Sequence, residues 1–174
     1  DESDHSQGSG EQHPFTDVAA DAWYAQAVQY VYENGLMDGI ENNQFAPEHT
    51  TTRAQLVTIL YRLEGQPAVT GESGFPDVEA DTWYTDAVVW AAANGIVNGV
   101  SDTRFAPGDE ITRQQMAAIL YRYTAWKGWD VSQQGNLFQF TDWQKVQTYA
   151  RTPLAWAVAS GLIQGKENQR LDPG

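Results

Sequence analysis

Cysteine is absent from this chain of 174 residues, which excludes disulfide bonds and thiolate metal sites. Basic residues are also scarce: ten Lys and Arg stand against 23 Asp and Glu, so the net charge is −13. Because such a chain has no basic surface that displaces counterions from phosphates, we expect no binding to nucleic acid. No apolar run approaches the roughly 20 residues that a helix needs to cross a bilayer, so we expect no membrane span.

The first fourteen residues are polar and show no hydrophobic periodicity, a pattern typical of a flexible linker or tail. We interpret His5 and His13 as residues of this tail rather than as metal ligands. The polar turn at residues 38–43 lacks the order of ligands and the terminal Glu of an EF-hand calcium loop. The sequence therefore predicts neither a metal site nor a cofactor.

The sequence is highly repetitive. Phe15-Thr16-Asp17-Val18 returns without a gap as Phe75-Pro76-Asp77-Val78, and a third copy begins near Phe140 and stops at Gly174. The predicted organisation is a tail at 1–14, complete repeats at 15–68 and 75–127, and an incomplete third repeat at 138–174. Because one repeat cannot bury its apolar surface alone, we expect the copies to pack on one another.

Each full repeat is predicted to contain a helix, an ordered loop and a second helix. The first helix of repeat 1 is expected to start at the N-cap Asp21 and to end at Asn34-Gly35. Its apolar face is predicted to comprise Trp23, Ala27, Tyr30 and Val31, and the counterparts in repeat 2, after the N-cap Asp81, are Trp83, Ala87, Trp90 and Ala91. In the loops, Gly39 and Gly99 are expected where the backbone turns or closely approaches another segment.

The second helix is predicted to begin at Thr52, because Thr52-Arg53-Ala54-Gln55 has the spacing of a capping box. Thr112-Arg113-Gln114-Gln115 repeats the pattern. An apolar stripe follows in each copy, formed by Leu56, Ile59, Leu60 and Leu63 and by Met116, Ile119, Leu120 and Tyr123. The third copy stops before its capping box, so its second helix is expected to be missing.

Arg53 and Arg113 are unusual because each lies one residue inside a helix N-terminus, where the helix dipole disfavours a cation by about 0.3–1 kcal/mol. Two explanations stay open at this point. Free backbone N–H groups and the guanidinium together would bind a carboxylate or phosphate. Alternatively, each Arg pairs with a nearby Asp, such as Asp17 or Asp77, and locks adjacent repeats together.

Aromatic residues are abundant, with seven Trp and eight Tyr. Trp23-Tyr24 and Trp83-Tyr84 lie beside the predicted starts of the first helices. Exposed aromatic rings stack on the apolar faces of sugars, although a place in the core is the more typical role for any one ring. Adjacent residues of a helix point in different directions, so one member of each pair is available for a groove.

Taken together, these motifs resemble the S-layer homology family, over residues 14–174. The matching pieces are Phe-x-Asp-Val, the Trp-Tyr helix, Asn-Gly, the loop glycines, Phe-Ala-Pro and Thr-Arg-x-Gln. The resemblance implies an all-α fold in which three helix-loop-helix repeats form a pseudo-threefold bundle, here with a truncated third repeat. It also implies a non-catalytic anchor outside the bacterial cell, whose grooves between repeats bind anionic, often pyruvylated, secondary cell-wall polysaccharide.

The family's basic residue maps onto Arg53 and Arg113, whereas its usual Glu is replaced here by Gln55 and Gln115. The expected ligand-binding residues are Arg53, Arg113, Asp17, Asp77, Trp23, Trp83, Gly39 and Gly99. Replacing both arginines by alanine is expected to abolish glycan binding without lowering the melting temperature.

Two other functions are alternatives to a glycan anchor. One is a structural or protein-interaction array that self-associates or docks a surface partner, with a partner chain completing repeat 3. The other is a glycoside hydrolase, which needs two suitably spaced carboxylates. Its candidates Asp17, Asp77, Asp142, Asp21 and Asp81 lie at motif starts and predicted helix caps, where structure explains them, so we expect no enzyme.

Overall fold

The computed structural model describes residues 13–174, so most of the predicted tail at 1–14, His5 included, lies outside the described residues. The interpretation of His13 as a tail residue is wrong. Its backbone N–H donates to Oε1 of Gln29 at 2.8 Å, and its ring stacks on Phe15 with centroids 5.4 Å apart. His13 therefore belongs to the folded part of the first repeat.

Five α-helices form the framework of the described residues, which contain isolated β-bridges but no strand. The helices are α1 (Ala25–Glu33), α2 (Arg53–Leu63), α3 (Thr85–Ala93), α4 (Arg113–Trp126) and α5 (Arg151–Ala159). Short 3-10 turns lie at Glu41–Asn43, Leu137–Gln139, Trp143–Lys145, Thr148–Ala150 and Glu167–Gln169. The predicted all-α class is confirmed, with two helix-loop-helix repeats and a shorter third one that contributes α5.

The second helix of each full repeat begins where the capping box predicts. The hydroxyl of Thr52 accepts the N–H of Gln55 at 3.2 Å, and the Gln55 side chain accepts the N–H of Thr52 at 2.9 Å. Thr112 and Gln115 form the same reciprocal pair. Glutamine therefore closes the box as well as glutamate does, because the interaction needs an acceptor oxygen rather than a charge.

The first helices begin later than predicted, and Asp21 and Asp81 are not their N-caps. α1 and α3 follow Tyr24 and Tyr84, neither of which makes a side-chain cap. In repeat 2 the preceding turn is closed by Thr85, whose hydroxyl accepts the N–H of Thr82 and donates to the Glu79 carbonyl. The polar groups before the helix are thus satisfied by a turn, and Asp81 lies within it at φ 57°.

The predicted apolar face of the first helices is only partly correct. Ala87, Trp90 and Ala91 are buried in α3, but Trp23 and Trp83 precede their helices and are 93% and 62% exposed. In α1 the buried positions are Ala25 and Val28 rather than the predicted set, and Tyr30 is exposed. On α2, Leu63 is also exposed, because it occupies the last turn of the helix.

The chain divides into two compact units, residues 1–49 and 50–174. In the described part of the first unit, Phe15, Val18, Ala25 and Val28 form a small core under α1.

The second unit contains two larger cores. In one, α2 packs on α3, and Val57, Val88, Ile96 and Phe105 are almost completely buried. In the other, α4 packs on α5 around Leu154, Trp156 and Leu171. The second helix of one repeat therefore packs on the first helix of the next, which confirms for this unit that neighbouring repeats bury one another.

Candidate functional site

Arg53 joins the start of α2 to the loop of repeat 2. Its Nε donates to the Phe105 carbonyl at 2.8 Å, and one Nη donates to the Asn98 carbonyl at 3.0 Å. The guanidinium carbon lies 4.8 Å from the centroid of the Phe105 ring, and only 3% of the residue is exposed. Burial lowers the pKa of Arg53, but its side chain keeps two acceptors and an aromatic face for its charge. Arg53 is thus built into the junction between repeats.

Arg113 repeats this arrangement at the next junction. Its Nε donates to the Leu171 carbonyl at 2.6 Å, and one Nη donates to the Gln164 carbonyl at 2.7 Å. Arg113 is less buried than Arg53, and the loop around Gln164 is exposed. The two arginines that the repeat singled out therefore hold equivalent loops.

The recurring aspartates bind the same loops from the other side of the peptide. Asp77 accepts the N–H groups of Phe105 and Ala106 at 2.9 and 2.8 Å, and Asp142 accepts those of Leu171 and Asp172 at 2.7 and 2.9 Å. Burial alone would raise the pKa of Asp77 and Asp142, but the amide hydrogen bonds outweigh it and hold both below 3.8. Asp17 takes the same role in repeat 1, and its bond from the Phe45 amide is the main cause that lowers its pKa.

This geometry gives Arg53 a structural role at the junction without the direct ion pair to an aspartate that one of the two explanations assumes. Arg53 donates to the Phe105 carbonyl while Asp77 accepts the N–H of Ala106, which belongs to the same peptide group, so charges of both signs secure one peptide. The two side chains thus lock repeats together through the backbone rather than through a direct ion pair.

The expectation of free N–H groups at the start of α2 is wrong. The N–H groups of Arg53 and Ala54 donate to the carbonyls of Asp109 and Pro107, both at 3.0 Å, and that of Gln55 donates to Thr52. In α4 the N–H of Gln114 donates likewise to the Pro173 carbonyl at 2.9 Å. The neighbouring repeat has taken the place that an anion would occupy at the helix dipole.

A second arginine and a tyrosine lie in the electrostatic surroundings of Arg53. The charges of Arg53 and Arg122 both act on the phenol of Tyr149, a residue in the 3-10 turn before α5 that is 44% exposed and otherwise packed against the protein. Burial lowers the pKa of Arg122 and raises that of Tyr149, and the two positive charges counter the rise at Tyr149. Within residues 13–174, no carboxylate lies at ion-pair distance from Arg122. Arg53, Arg122 and Tyr149 thus form an electrostatic cluster, in which Arg122 is the cation without a carboxylate partner among the described residues.

This cluster was not predicted from the sequence, although the residues concerned recur between repeats. Arg122 is the counterpart of Arg62 at the spacing that relates repeats 1 and 2, so its recurrence can be seen in the sequence. Tyr149 is the counterpart of Trp83 when α5 is aligned with α3, so the recurrence of an aromatic residue is visible as well, although an inserted residue in the third copy shifts the spacing.

The remaining predicted site residues divide between exposed rings and packed glycines. Trp23 and Trp83 project into solvent, and each ring meets the following tyrosine edge-on, with centroids 5.4 and 5.1 Å apart. A Cβ on Gly39 would meet the Phe15 ring and lie 2.6 Å from the Gln44 carbonyl. A Cβ on Gly99 would lie 2.5 Å from the Arg104 carbonyl and 2.7 Å from the Phe75 ring. The absence of a side chain at both glycines therefore leaves room for the ring of a phenylalanine from the same repeat.

These observations define a tandem-repeat module of short helices whose junctions are secured by arginine and aspartate and whose surface carries isolated tryptophans. The chain belongs to the S-layer homology domain family, whose model matches residues 14–57, 74–117 and 139–174. Members of this family are non-catalytic modules that anchor proteins to the cell wall. The family and the surface-layer relatives place this chain at the cell surface.

Individual relatives agree with this assignment. The surface-layer 125 kDa protein of Lysinibacillus sphaericus is 37% identical over 145 residues, which cover 82% of this chain and 12% of that protein. An endoglucanase of Bacillus sp. (strain KSM-635) is 28% identical over 160 residues, 92% of this chain and 17% of the enzyme. The S-layer protein sap of Bacillus anthracis is 29% identical over 107 residues, 61% of this chain and 13% of that protein. The chain thus spans 12 to 17% of these relatives.

None of the helices in the described part of the chain is long and apolar enough to span a membrane, and α4, with 14 residues, is the longest.

Proposed function

We propose that this chain anchors its parent protein by binding an anionic, pyruvylated cell-wall polysaccharide at the junctions between repeats. The observation that carries the proposal is Arg122, a half-buried guanidinium on α4 for which residues 13–174 supply no carboxylate at ion-pair distance. A half-buried guanidinium without a carboxylate partner has lost part of its hydration, and an anionic ligand would compensate that loss. Guanidinium and phenol together match a carboxylate, because both donate hydrogen bonds to its oxygens.

Of the two arginines in the electrostatic cluster, Arg122 is the better candidate for direct contact. Arg53 is buried and already uses Nε and one Nη on loop carbonyls, so it would contribute only its charge. Arg113 would serve an equivalent site at the next junction. Asp17, Asp77, Gly39 and Gly99 would act indirectly, by holding the loops that border these sites.

The exposed tryptophans would contribute sugar contacts of their own. Trp23 and Trp83 present indole faces to solvent, and such faces stack on the C–H surface of a pyranose. In each case the following tyrosine supports the ring edge-on.

The distribution of charge reduces the repulsion that a net charge of −13 would cause. Residues 1–49 contain ten Asp and Glu and no Lys or Arg, whereas residues 131–174 contain four Lys and Arg and three Asp and Glu. Charges that are separated by more than the Debye length of about 8 Å at physiological salt are largely screened, so local charge has the larger influence on binding. We therefore expect an anionic polymer to engage repeats 2 and 3 first.

The test compares two arginine variants with the same change of charge. Arg122→Gln removes the half-buried cation, and Arg104→Gln removes an exposed one whose contact with Asp109 is 3.8 Å long. Loss of charge-assisted hydrogen bonds worth about 1.5–3 kcal/mol should weaken binding of Arg122→Gln by roughly 10- to 150-fold. Isothermal titration with polysaccharide purified from Lysinibacillus sphaericus walls measures the effect. Equal affinities of the two variants would contradict this site.

The alternative function, a protein-interaction array, stays a prediction, as does the partner chain that completes repeat 3. Sedimentation of the chain without glycan distinguishes it from an anchor. A monomer that binds the polysaccharide supports the anchor, and a concentration-dependent oligomer that ignores the polysaccharide supports the array.

A further inference from the structure

The C-terminal end of α4 carries an aromatic patch formed by Trp126 and Trp129, which lie over the buried ring of Tyr123. Trp126 is 40% and Trp129 57% exposed. The Tyr123 ring lies between them, with its centroid 6.1 Å from that of Trp126 and 6.4 Å from that of Trp129. Two neighbouring indoles that remain in contact with water suggest a surface that is used for binding.

The repeat architecture does not require this patch. In repeat 1, the positions that correspond to Trp126, Lys127 and Trp129 are held by Gln66, Pro67 and Val69. Repeat 1 folds its second helix without any indole there. The tryptophans are therefore a feature of this one repeat and call for a reason other than the common core.

Polar contacts hold the rings in place before any ligand arrives. The ammonium of Lys127 lies 5.8 and 5.5 Å from the ring centroids of Trp126 and Trp129, and it pairs with Glu64 at 3.0 Å. The Tyr123 hydroxyl donates to the same Glu64 carboxylate, and Nε1 of Trp126 donates to Asn94 at 3.1 Å. Rings that are fixed in this way lose little entropy when a ligand binds.

The chemistry of the patch matches a sugar ring better than a protein surface. A pyranose has an apolar C–H face and a rim of hydroxyls, and this patch has exposed indoles bordered by an ammonium, a carboxylate and an amide. A stable protein interface buries about 800 Å² on each partner, far more than two partly exposed indoles offer. A neutral sugar also needs no counter-charge, and Lys127 already has one in Glu64.

We propose that Trp126 and Trp129, supported by the buried Tyr123, form a stacking subsite for a neutral pyranose residue of the wall polysaccharide; this inference rests on the function proposed above. Arg122 and Trp126 are one helical turn apart on α4, a rise of about 6 Å. A polymer whose acidic group lies at Arg122 thus reaches the patch with a nearby sugar unit. The patch would contact a neutral sugar unit of the glycan, while Arg122 would bind an acidic group.

The experiment titrates the intact wall polysaccharide of Lysinibacillus sphaericus into the wild type, Trp129→Ala and Phe138→Ala. Phe138 is the matched control, because it is an exposed aromatic residue outside the patch that meets Trp143 edge-on at 4.6 Å. Loss of one stacking ring should weaken binding about two- to tenfold in Trp129→Ala and leave Phe138→Ala unchanged. Melting temperatures check that both variants are folded.

The outcomes separate this inference from the proposed function. If the wild type binds and Trp129→Ala binds as tightly, the stacking subsite is refuted while the anchor stands. If the wild type does not bind the polysaccharide, both are refuted. If sedimentation finds a wild-type dimer that Trp129→Ala abolishes, the patch is a self-association surface, and the subsite is refuted as well.

Discussion

The burial of Arg53 changes what its replacement by alanine should do. The sequence alone predicts an unchanged melting temperature for Arg53→Ala and Arg113→Ala, but both side chains hold the loop of the following repeat. Arg53→Ala removes two hydrogen bonds from a charged donor, about 1.5–3 kcal/mol each. It also removes the cation–aromatic contact with Phe105, about 1–2 kcal/mol.

Part of that loss is offset, because the folded protein no longer has to bury a guanidinium. Burial is the main cause that lowers the pKa of Arg53, so the desolvation cost is considerable. We expect a net loss of about 3 kcal/mol in the free energy of unfolding, since the carbonyls of Phe105 and Asn98 are left without these donors. Arg113 is less buried and water replaces its bonds more easily, so Arg113→Ala should cost about 1–2 kcal/mol.

Urea unfolding followed by circular dichroism measures the free energy of unfolding of both variants and the wild type, and thermal unfolding measures their melting temperatures. At about 2–4 °C for each kcal/mol, Arg53→Ala should melt roughly 6–12 °C lower. Surface substitutions typically stay within about 0.5 kcal/mol of the wild type, so an effect of that size in Arg53→Ala would refute its structural role. A larger loss in Arg113→Ala than in Arg53→Ala would refute the dependence on burial. A consequence for binding studies is that Arg53→Ala alone cannot separate ligand contact from folding.

Three further predictions concern single positions. Thr58 is buried in α2, its hydroxyl has no hydrogen-bond partner among the described residues, and its counterpart in repeat 2 is Ala118. Thr58→Val should therefore raise the urea midpoint by an amount equivalent to about 1 kcal/mol. A lower midpoint would contradict this. Because the folded pKa of Asp142 lies below 3.8, its contribution is complete above pH 3.8 and is lost as the pH falls through the folded pKa. Asp142→Asn should therefore be less stable than the wild type near neutral pH and approach it as the pH falls well below 3.8; a constant difference across pH would show that the charge is irrelevant. Gly99→Ala places a methyl group against the Phe75 ring and the Arg104 carbonyl, whereas the methyl group of Gly108→Ala meets nothing within 4 Å. Only Gly99→Ala should therefore lower the melting temperature. Equal melting temperatures of the two variants would refute the packing argument.

The features that the sequence predicted correctly are those that depend on neighbouring residues. A capping box closes within a single helical turn, so Thr52 and Gln55 identify the start of α2 without knowledge of the rest of the fold. Repetition then transfers the same conclusion to α4. The all-α class follows, because each copy carries the same local signals.

The features that it missed depend on distant partners. The acceptors of Arg53 lie 52 and 45 residues away, so its role as a fixed part of the junction could not be read from its helix position. The first helices start late because a turn satisfies the polar groups that a capping Asp would otherwise serve, and Trp23 consequently points to solvent. Tyr149 entered the cluster only through the packing of repeat 3 against α4.

The central claim, that the chain recognises the acidic groups of a wall polysaccharide, is tested most directly by chemical reduction of those groups. Wild-type chain is titrated calorimetrically with intact polysaccharide and with the same material after its carboxylates have been reduced to alcohols. We predict that reduction weakens binding at least about tenfold, since charge-assisted hydrogen bonds at Arg122 and the junction arginines are lost. Equal affinity for both preparations, or no binding to the intact polymer, would contradict the account.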